Sequence, residues 1–234
     1  MPAIRTVLLL VLLSTHSVGD TVPTRNIEPP RDRTSFTEVI RIPPDKNMGV
    51  VIIDVPARID GDHIGRYFNS RTHSWMINGG YFNADFSPTG YCRIRGREIR
   101  PHRSPSLSGF IALDDDGRLS LLTKENDLSP FPTVLQNGPW IVDPGGRIGI
   151  HSRVGKEAPR TVVGRTFDGE LIIAVTEPVD LYDLAHEALR VFPNIERMLN
   201  LDGGPSTALK TDNVEIRNSA PVRNYLAQKI VKDR

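Results

Sequence analysis

A single cysteine, Cys92, excludes an internal disulfide, so the fold must stand on its apolar core. Charge of either sign is not in excess: 29 basic residues face 28 acidic ones, a net +1. No overall field therefore draws the chain to nucleic acid or to an anionic membrane. His63, His73, His102, His151 and His186 are scattered, with no HxH or HExxH pair and no CxxC. A histidine or cysteine zinc site has no support, and no metal or other cofactor is expected. The apolar run Thr6–Leu13 is too short for a membrane span, which needs about 20 residues.

That run does have the form of a secretory signal. Arg5 supplies a positive start and Ser17-Val18-Gly19 a small-x-small cleavage site, so residues 1–19 read as a signal peptide cut after Gly19. No cysteine lies near the cut, which disfavours a lipid anchor. The expectation is a secreted or periplasmic protein with no transmembrane segment in its mature form. Residues 20–34, polar and proline-rich, read as an extended lead-in. The remainder, 35–234, is long enough for one domain with a sizeable core. Its oligomeric state is not readable.

Glycine and proline, nineteen of each, are plentiful and mark turns. Leu107–Leu113 and Leu119–Leu122 flank Asp115-Asp116-Gly117; Arg160–Phe167 and Glu170–Val175 flank Asp168-Gly169. Trp140–Val142 and Ile148–Ile150 flank Asp143-Pro-Gly-Gly146. Each pattern predicts a hairpin whose turn uses glycine for positive φ. Phe36–Ile42 alternates as a strand, Gly49–Val55 reads as a strand buried on both faces, and Tyr225–Val231 as a closing strand. Leu181, Leu184, Ala185, Ala188, Leu189 and Phe192 share one helical face, with Asp180 as N-cap and Pro193 as the stop. The fold class expected is α+β: a mixed, largely antiparallel twisted sheet built from hairpins, with a few packed helices.

Two stretches use the same device, an apolar strand that ends on a polar residue and turns through glycines. They are Ile77-Asn78-Gly79-Gly80-Tyr81-Phe82 and Leu199-Asn-Leu-Asp202-Gly203-Gly204-Pro-Ser206-Thr207. Such glycines either make plain turns or let N–H groups converge on an anion. Gly204-Pro-Ser206-Thr-Ala208 approaches a nucleophile elbow, but an α/β-hydrolase needs its histidine downstream, and none follows His186. Asp114-Asp-Asp-Gly117 fails as a calcium loop, because the twelfth position is Thr123. Gly145-Gly-Arg-Ile-Gly149 lacks dinucleotide spacing. Arg160 opens a β-branched strand, either as a two-pronged anion grip or as a solvated edge residue. Gln136 and Asn137 precede Gly138-Pro139; amides there suit sugar hydroxyls or cap a turn.

Together these stretches, with Leu135-Gln-Asn-Gly-Pro139 and Ala158-Pro-Arg-Thr-Val-Val-Gly164, resemble the phosphodiester glycosidase family, in a bacterial-type secreted form, over roughly residues 45–232. Two features depart from it: Asn137 stands where the family has serine, and five arginines (93, 95, 97, 100 and 103) follow the first glycine loop. That basic run is either a substrate-facing wall or a solvated face.

The resemblance implies hydrolysis of a sugar-1-phosphodiester at the anomeric C–O bond, with a phosphorylated carbohydrate as partner. A weakly basic phosphate leaving group needs little protonation, so holding the anion and activating water or stabilising an oxocarbenium-like centre are the main demands. Asp202 and Arg160 are then the catalytic candidates. Asn78, Gly79, Gly80, Gln136, Asn137, Gly138, Gly203, Gly204 and Ser206 are the substrate-binding ones. Asp85 and Glu98 are candidates for a second carboxylate. Two other classes compete: a non-catalytic module that binds phosphorylated envelope polysaccharide, and a phosphodiesterase with a metal on Asp202.

Overall fold

The computed structural model describes residues 34–230. The expected signal, the lead-in apart from Thr34, and Val231 of the closing strand lie outside them. Every strand pairing in the described chain is antiparallel, in three sheets. In spatial order the first holds Phe36–Ile42, Leu171–Thr176, Thr161–Thr166, Ile195–Asn200, Trp140–Asp143 and Arg147–Ile148. The second holds Glu215–Ile216, Leu209–Lys210, His73–Asn78, Asn224–Lys229 and Val50–Asp54. The third holds Arg97–Arg100, Cys92–Ile94, Thr133–Asn137, Gly109–Leu113 and Leu119–Leu122.

The hairpins form where the turn chemistry places them. Leu113 pairs with Leu119 across Gly117 at φ 71°, and Arg165 with Leu171 across Gly169 at φ 90°. Only a residue without Cβ takes these angles at no steric cost. The third hairpin is shorter than its apolar pattern implies, with Arg147–Ile148 as its return arm.

One core joins the sheets: Ile77 and Leu226 of the second, Ile111 and Leu135 of the third, Val163 and Leu199 of the first. Each such side chain, removed from water, contributes about 1.5–3 kcal/mol. The helix Leu181–Val191 lies on the other face of the first sheet, with Leu184, Ala185 and Ala188 against Ile172, Ala174 and Met198. Asp180 caps it, one carboxylate oxygen accepting Tyr182 N–H at 2.8 Å, and the other tying down Val154 and Gly155. A third apolar layer packs Ile64, Met76 and Tyr225 on the outer face of the second sheet.

Three expectations need correction. The body is predominantly β, with this one α-helix and three short 3-10 turns among the described residues, not a few packed helices. Three sheets replace the single mixed one: a few local hairpins are extended by strands distant in sequence, and the sheets bury their apolar faces against one another. Val50–Asp54 is not buried on both faces: Val50 and Ile52 are buried, whereas Val51 and Ile53 are half-exposed on an edge strand. A β-branched apolar run alone cannot distinguish a central strand from an edge.

Candidate active site where strand ends meet

Four asparagines mark the place where the sheets converge. Asn78 ends a strand of the second sheet, Asn137 one of the third, Asn200 one of the first, and Asn224 begins a strand of the second. All are at most 2% exposed. An amide so placed must find partners, because a buried unpaired polar group costs about 1–3 kcal/mol. Asn78 and Asn224 find them in the chain segments that form the site, whereas Asn137 Oδ1 and Asn200 Oδ1 are buried with no partner among the described residues.

Asn78 is a clamp. Its Oδ1 accepts from the Thr161 hydroxyl at 2.6 Å and from Ala208 N–H at 3.0 Å, and its Nδ2 donates to the Asp202 carbonyl at 2.7 Å. One side chain thus ties the first glycine loop to the strand opened by Arg160 and to both ends of the second glycine loop. Asp202 N–H also reaches Gly79 O at 3.3 Å, and Leu201 N–H reaches Thr161 O at 2.8 Å. Asn78, Arg160 and Asp202 therefore belong to one locality, but Asn78 supports it from below.

The glycine loops serve close approach. Gly79 N–H donates to Asn224 O and Gly80 N–H to Asn224 Oδ1. Gly203 N–H donates to the Asp202 carboxylate, and Gly204 N–H to Pro159 O. All four donors have acceptors within the chain, so the loops do not present the open anion nest that the sequence allows. A Cβ on Gly79 would stand 1.9 Å from Asn224 Oδ1, and one on Gly203 2.8 Å from Pro159 O. Backbones this near exclude any side chain there.

Gln136 is likewise occupied: its Oε1 accepts from Tyr91 N–H and Ser104 N–H, and its Nε2 donates to Ser104 O and Leu107 O. It pins a loop of the third sheet and has no free group for a sugar. Asn137 packs beneath Gly80, whose Cβ would meet its Oδ1 at 3.2 Å. Gly138 N–H donates to Asn200 O. A Cβ on Gly138, at φ 151°, would clash with Ser108 N at 2.6 Å.

Above these supports stand three reactive side chains. Asp202 is half-buried, and burial pushes its pKa above the ordinary aspartate value, while the Ser206 hydroxyl and Gly203 N–H pull it back. Among the described carboxylates that are clearly perturbed, it alone is shifted upward. Tyr81 follows the first glycine pair. Its hydroxyl accepts from Asn200 Nδ2 and is held above its usual pKa by burial and by the charge of Asp202, with Arg160 opposing. Arg160 is fastened by Nε to Val179 O at 3.2 Å and by Nη2 to Lys156 O at 2.8 Å. Its Cδ lies 3.7 Å from the Cβ position of Gly203, beside the Asp202 turn. The phenol of Tyr81 thus feels both the Asp202 carboxylate and the Arg160 guanidinium.

Asp85 and Glu98 lack the raised pKa that suits a general acid. Asp85 is held low by the hydroxyl and N–H of Ser87, and Glu98 by the Tyr91 hydroxyl and then Arg93, so both are ionised at neutral pH. Two of the five arginines are engaged within the third sheet's own loops. Arg93 donates to Leu128 O and Phe131 O over the Tyr91 ring, and Arg103 lies over Phe110. Sequence reasoning missed Tyr81, Thr161, Asn200 and Asn224 as site members. The first three lie inside its own motif stretches, whereas Asn224 carries no local signal. The cleft of about 610 Å³ lined by Arg66, Phe68 and Lys210, and another of about 370 Å³ lined by Ile53, Ile94 and Arg95, include none of these residues. Functional groups, not concavity, locate this site.

Residues 72–229, which span all of these side chains, match the sequence profile of the phosphodiester glycosidases. The chain belongs to that family. No curated protein matches it. Among solved structures it is similar to the zebrafish N-acetylglucosamine-1-phosphodiester α-N-acetylglucosaminidase catalytic domain auto-inhibited by its pro-peptide. That match has 16% identity and a TM-score of 0.59 over 79% of this chain and 73% of the other. A Synechocystis protein aligns with 14% identity and a TM-score of 0.58, over 81% of this chain and 58% of its own. A Burkholderia pseudomallei protein aligns with 11% identity and a TM-score of 0.57, over 81% and 73%. At these identities the structures share the fold of this family member.

Proposed function

We propose that this phosphodiester glycosidase hydrolyses a sugar-1-phosphodiester, of the N-acetylglucosamine-1-phosphodiester kind, at the anomeric C–O bond. We place its substrate in an envelope or exopolysaccharide glycan outside the cytoplasm. The observation that carries the reading is Asp202: a half-buried carboxylate with a raised pKa, whose charge acts on the Tyr81 phenol, which the fixed Arg160 guanidinium also reaches.

In this scheme water attacks the anomeric carbon as the bond to the phosphate oxygen breaks. The bond's electron pair leaves with the phosphate, now a monoester, and Arg160 meets that charge with the face not tied to Val179 and Lys156. The proton from water passes to Asp202, whose raised pKa brings it nearer the working range of a general base. Tyr81 adds a hydrogen-bonding group beside the reacting atoms, and Ser206 steadies the Asp202 carboxylate.

Hydrolysis in oxygen-18 water tests the scheme. Label in the sugar is expected; label in the phosphate would show P–O cleavage and overturn it. Tight binding of such diesters without any sugar release would convert the chain into a binding module.

A further inference from the structure

The cleft of about 610 Å³ away from Asp202 has a lining that suits a particular ligand. Arg66, Tyr67, Phe68, Asn69 and Ser70 form one wall, and Lys210, Thr211 and Asp212 the other. Its volume lies within the roughly 300–1,000 Å³ usual for small-ligand sites, but its walls are mainly polar. Phe68 is half-buried, with Lys210 Nζ 5.9 Å from its ring centre. Lys210 is already paired with Glu215 at 2.9 Å. Arg66 is not so committed: its nearest carboxylate oxygen, on Asp62, is 3.9 Å away, and its side chain is 57% exposed. Asp212 has no hydrogen bond or ion pair among the described residues. A ring face, a loosely paired guanidinium and an unpaired carboxylate across a polar cleft suit a sugar that carries both hydroxyls and an acidic substituent.

The cleft is also joined to the active site by one strand pair. Ala208 N–H binds Asn78 Oδ1 at the site end, Leu209 pairs with Ile77 and Lys210 with Met76, and Thr211 follows at the cleft. At about 3.4 Å per residue, Ala208 to Thr211 covers about 10 Å. Met76 shares its sheet face with Asn78, two residues on, and belongs to the apolar cluster against which Tyr67 and Phe68 pack.

We infer that this cleft is a second, non-catalytic subsite that holds an acidic sugar unit of a polymeric substrate while a neighbouring linkage is cut at Asp202. The inference builds on the proposed reaction. Phe68 carries the sugar ring, Arg66 grips the phosphate of a linkage not being cleaved, and Asp212 accepts hydroxyl hydrogens.

The test compares a polysaccharide of N-acetylglucosamine-1-phosphate repeats with the methyl diester of N-acetylglucosamine 1-phosphate, on wild type, Arg66→Glu and Phe68→Ala. Thermal unfolding first establishes that each variant folds. Arg66→Glu should raise KM for the polymer about tenfold, the equivalent of about 1.4 kcal/mol, and leave kcat/KM for the methyl diester unchanged. Phe68→Ala should do the same; if it fails to fold, Arg66→Glu alone decides. Equal effects on both substrates, or none on the polymer, overturn the subsite. If neither substrate is cleaved, the proposed reaction has failed, and affinity electrophoresis in the same polysaccharide judges the cleft separately. Retardation of wild type but not of Arg66→Glu supports it, and equal mobility overturns it.

Discussion

Asn78 and Asp202, 124 positions apart, are joined by a 2.7 Å hydrogen bond from the asparagine side chain to the aspartate main-chain carbonyl. The contact acts on the backbone and so fixes where the carboxylate begins, without engaging the carboxylate itself. Through the same amide, Asn78 holds Thr161 and Ala208. This makes it a positioning residue for the turn that presents Asp202.

Asn78→Ala should therefore lower both stability and activity. It strands the Thr161 hydroxyl, Ala208 N–H and Asp202 carbonyl, with an expected cost of about 2–4 kcal/mol. Thr161→Val removes one of the three bonds and should cost about 1 kcal/mol. Denaturant unfolding of both variants measures the difference; equal losses would contradict the clamp.

Asp202→Asn should abolish most turnover, by about 10²–10⁴-fold, and yet stabilise the protein at neutral pH. The sign follows from the upward shift. The folded state holds this proton more tightly than the unfolded chain does, so the group's stability contribution is full below its unfolded pKa. That contribution is lost as pH rises through the folded value. The melting temperature of Asp202→Asn relative to wild type should accordingly increase across that window and stay above it at pH 7. In wild type, activity should fall as pH drops through the same raised value, because the base must be ionised. A variant less stable than wild type at every pH would contradict the buried-charge reading.

Arg160→Lys keeps the charge but loses the planar fork that reaches Val179 O and Lys156 O while facing the ligand. A fall in kcat/KM of about 10–100-fold is expected, with a lower melting temperature from the lost carbonyl bonds. Steady-state kinetics on a soluble diester check it, and full activity in Arg160→Lys would remove this residue from the anion site.

The two glycines after Asn78 should differ. Gly79→Ala drives a Cβ to 1.9 Å from Asn224 Oδ1 and 3.0 Å from Asn224 O, and should cost more than about 2 kcal/mol. Gly80→Ala meets Asn137 Oδ1 at 3.2 Å, a contact relieved by a small shift, and should cost about 1 kcal/mol or less. Chemical denaturation of the pair reads the contrast directly.

Local chemistry made much of this fold legible. The Asp-Gly turns, the alternation of Phe36–Ile42 and the Asp180-capped helix depend on neighbours in sequence, and the structure has them where the residues indicate. Membership in the family was also legible, because its glycine motifs are contiguous stretches. The number of sheets, and the edge position of Val50–Asp54, depend on which faces find one another, and no local pattern encodes that.

The site divides along the same line. Asp202 and Arg160 stood out in the sequence because a carboxylate on a glycine turn and an arginine before a β-branched strand are local signals. The tertiary structure alone decided that Asn78 and Gln136 are spent on partners within the chain, and that the glycine N–H groups already have acceptors. It also brought in Asn224, 144 positions from Gly80, as the acceptor for that loop. A hydrogen-bonding side chain looks equally available for substrate or scaffold in a linear sequence. Asn78, Gln136 and Asn224 are engaged by what the fold brings near, whereas Asn137 Oδ1 and Asn200 Oδ1 stay unpaired among the described residues. Burial decides it, because a buried amide is committed only where a partner reaches it.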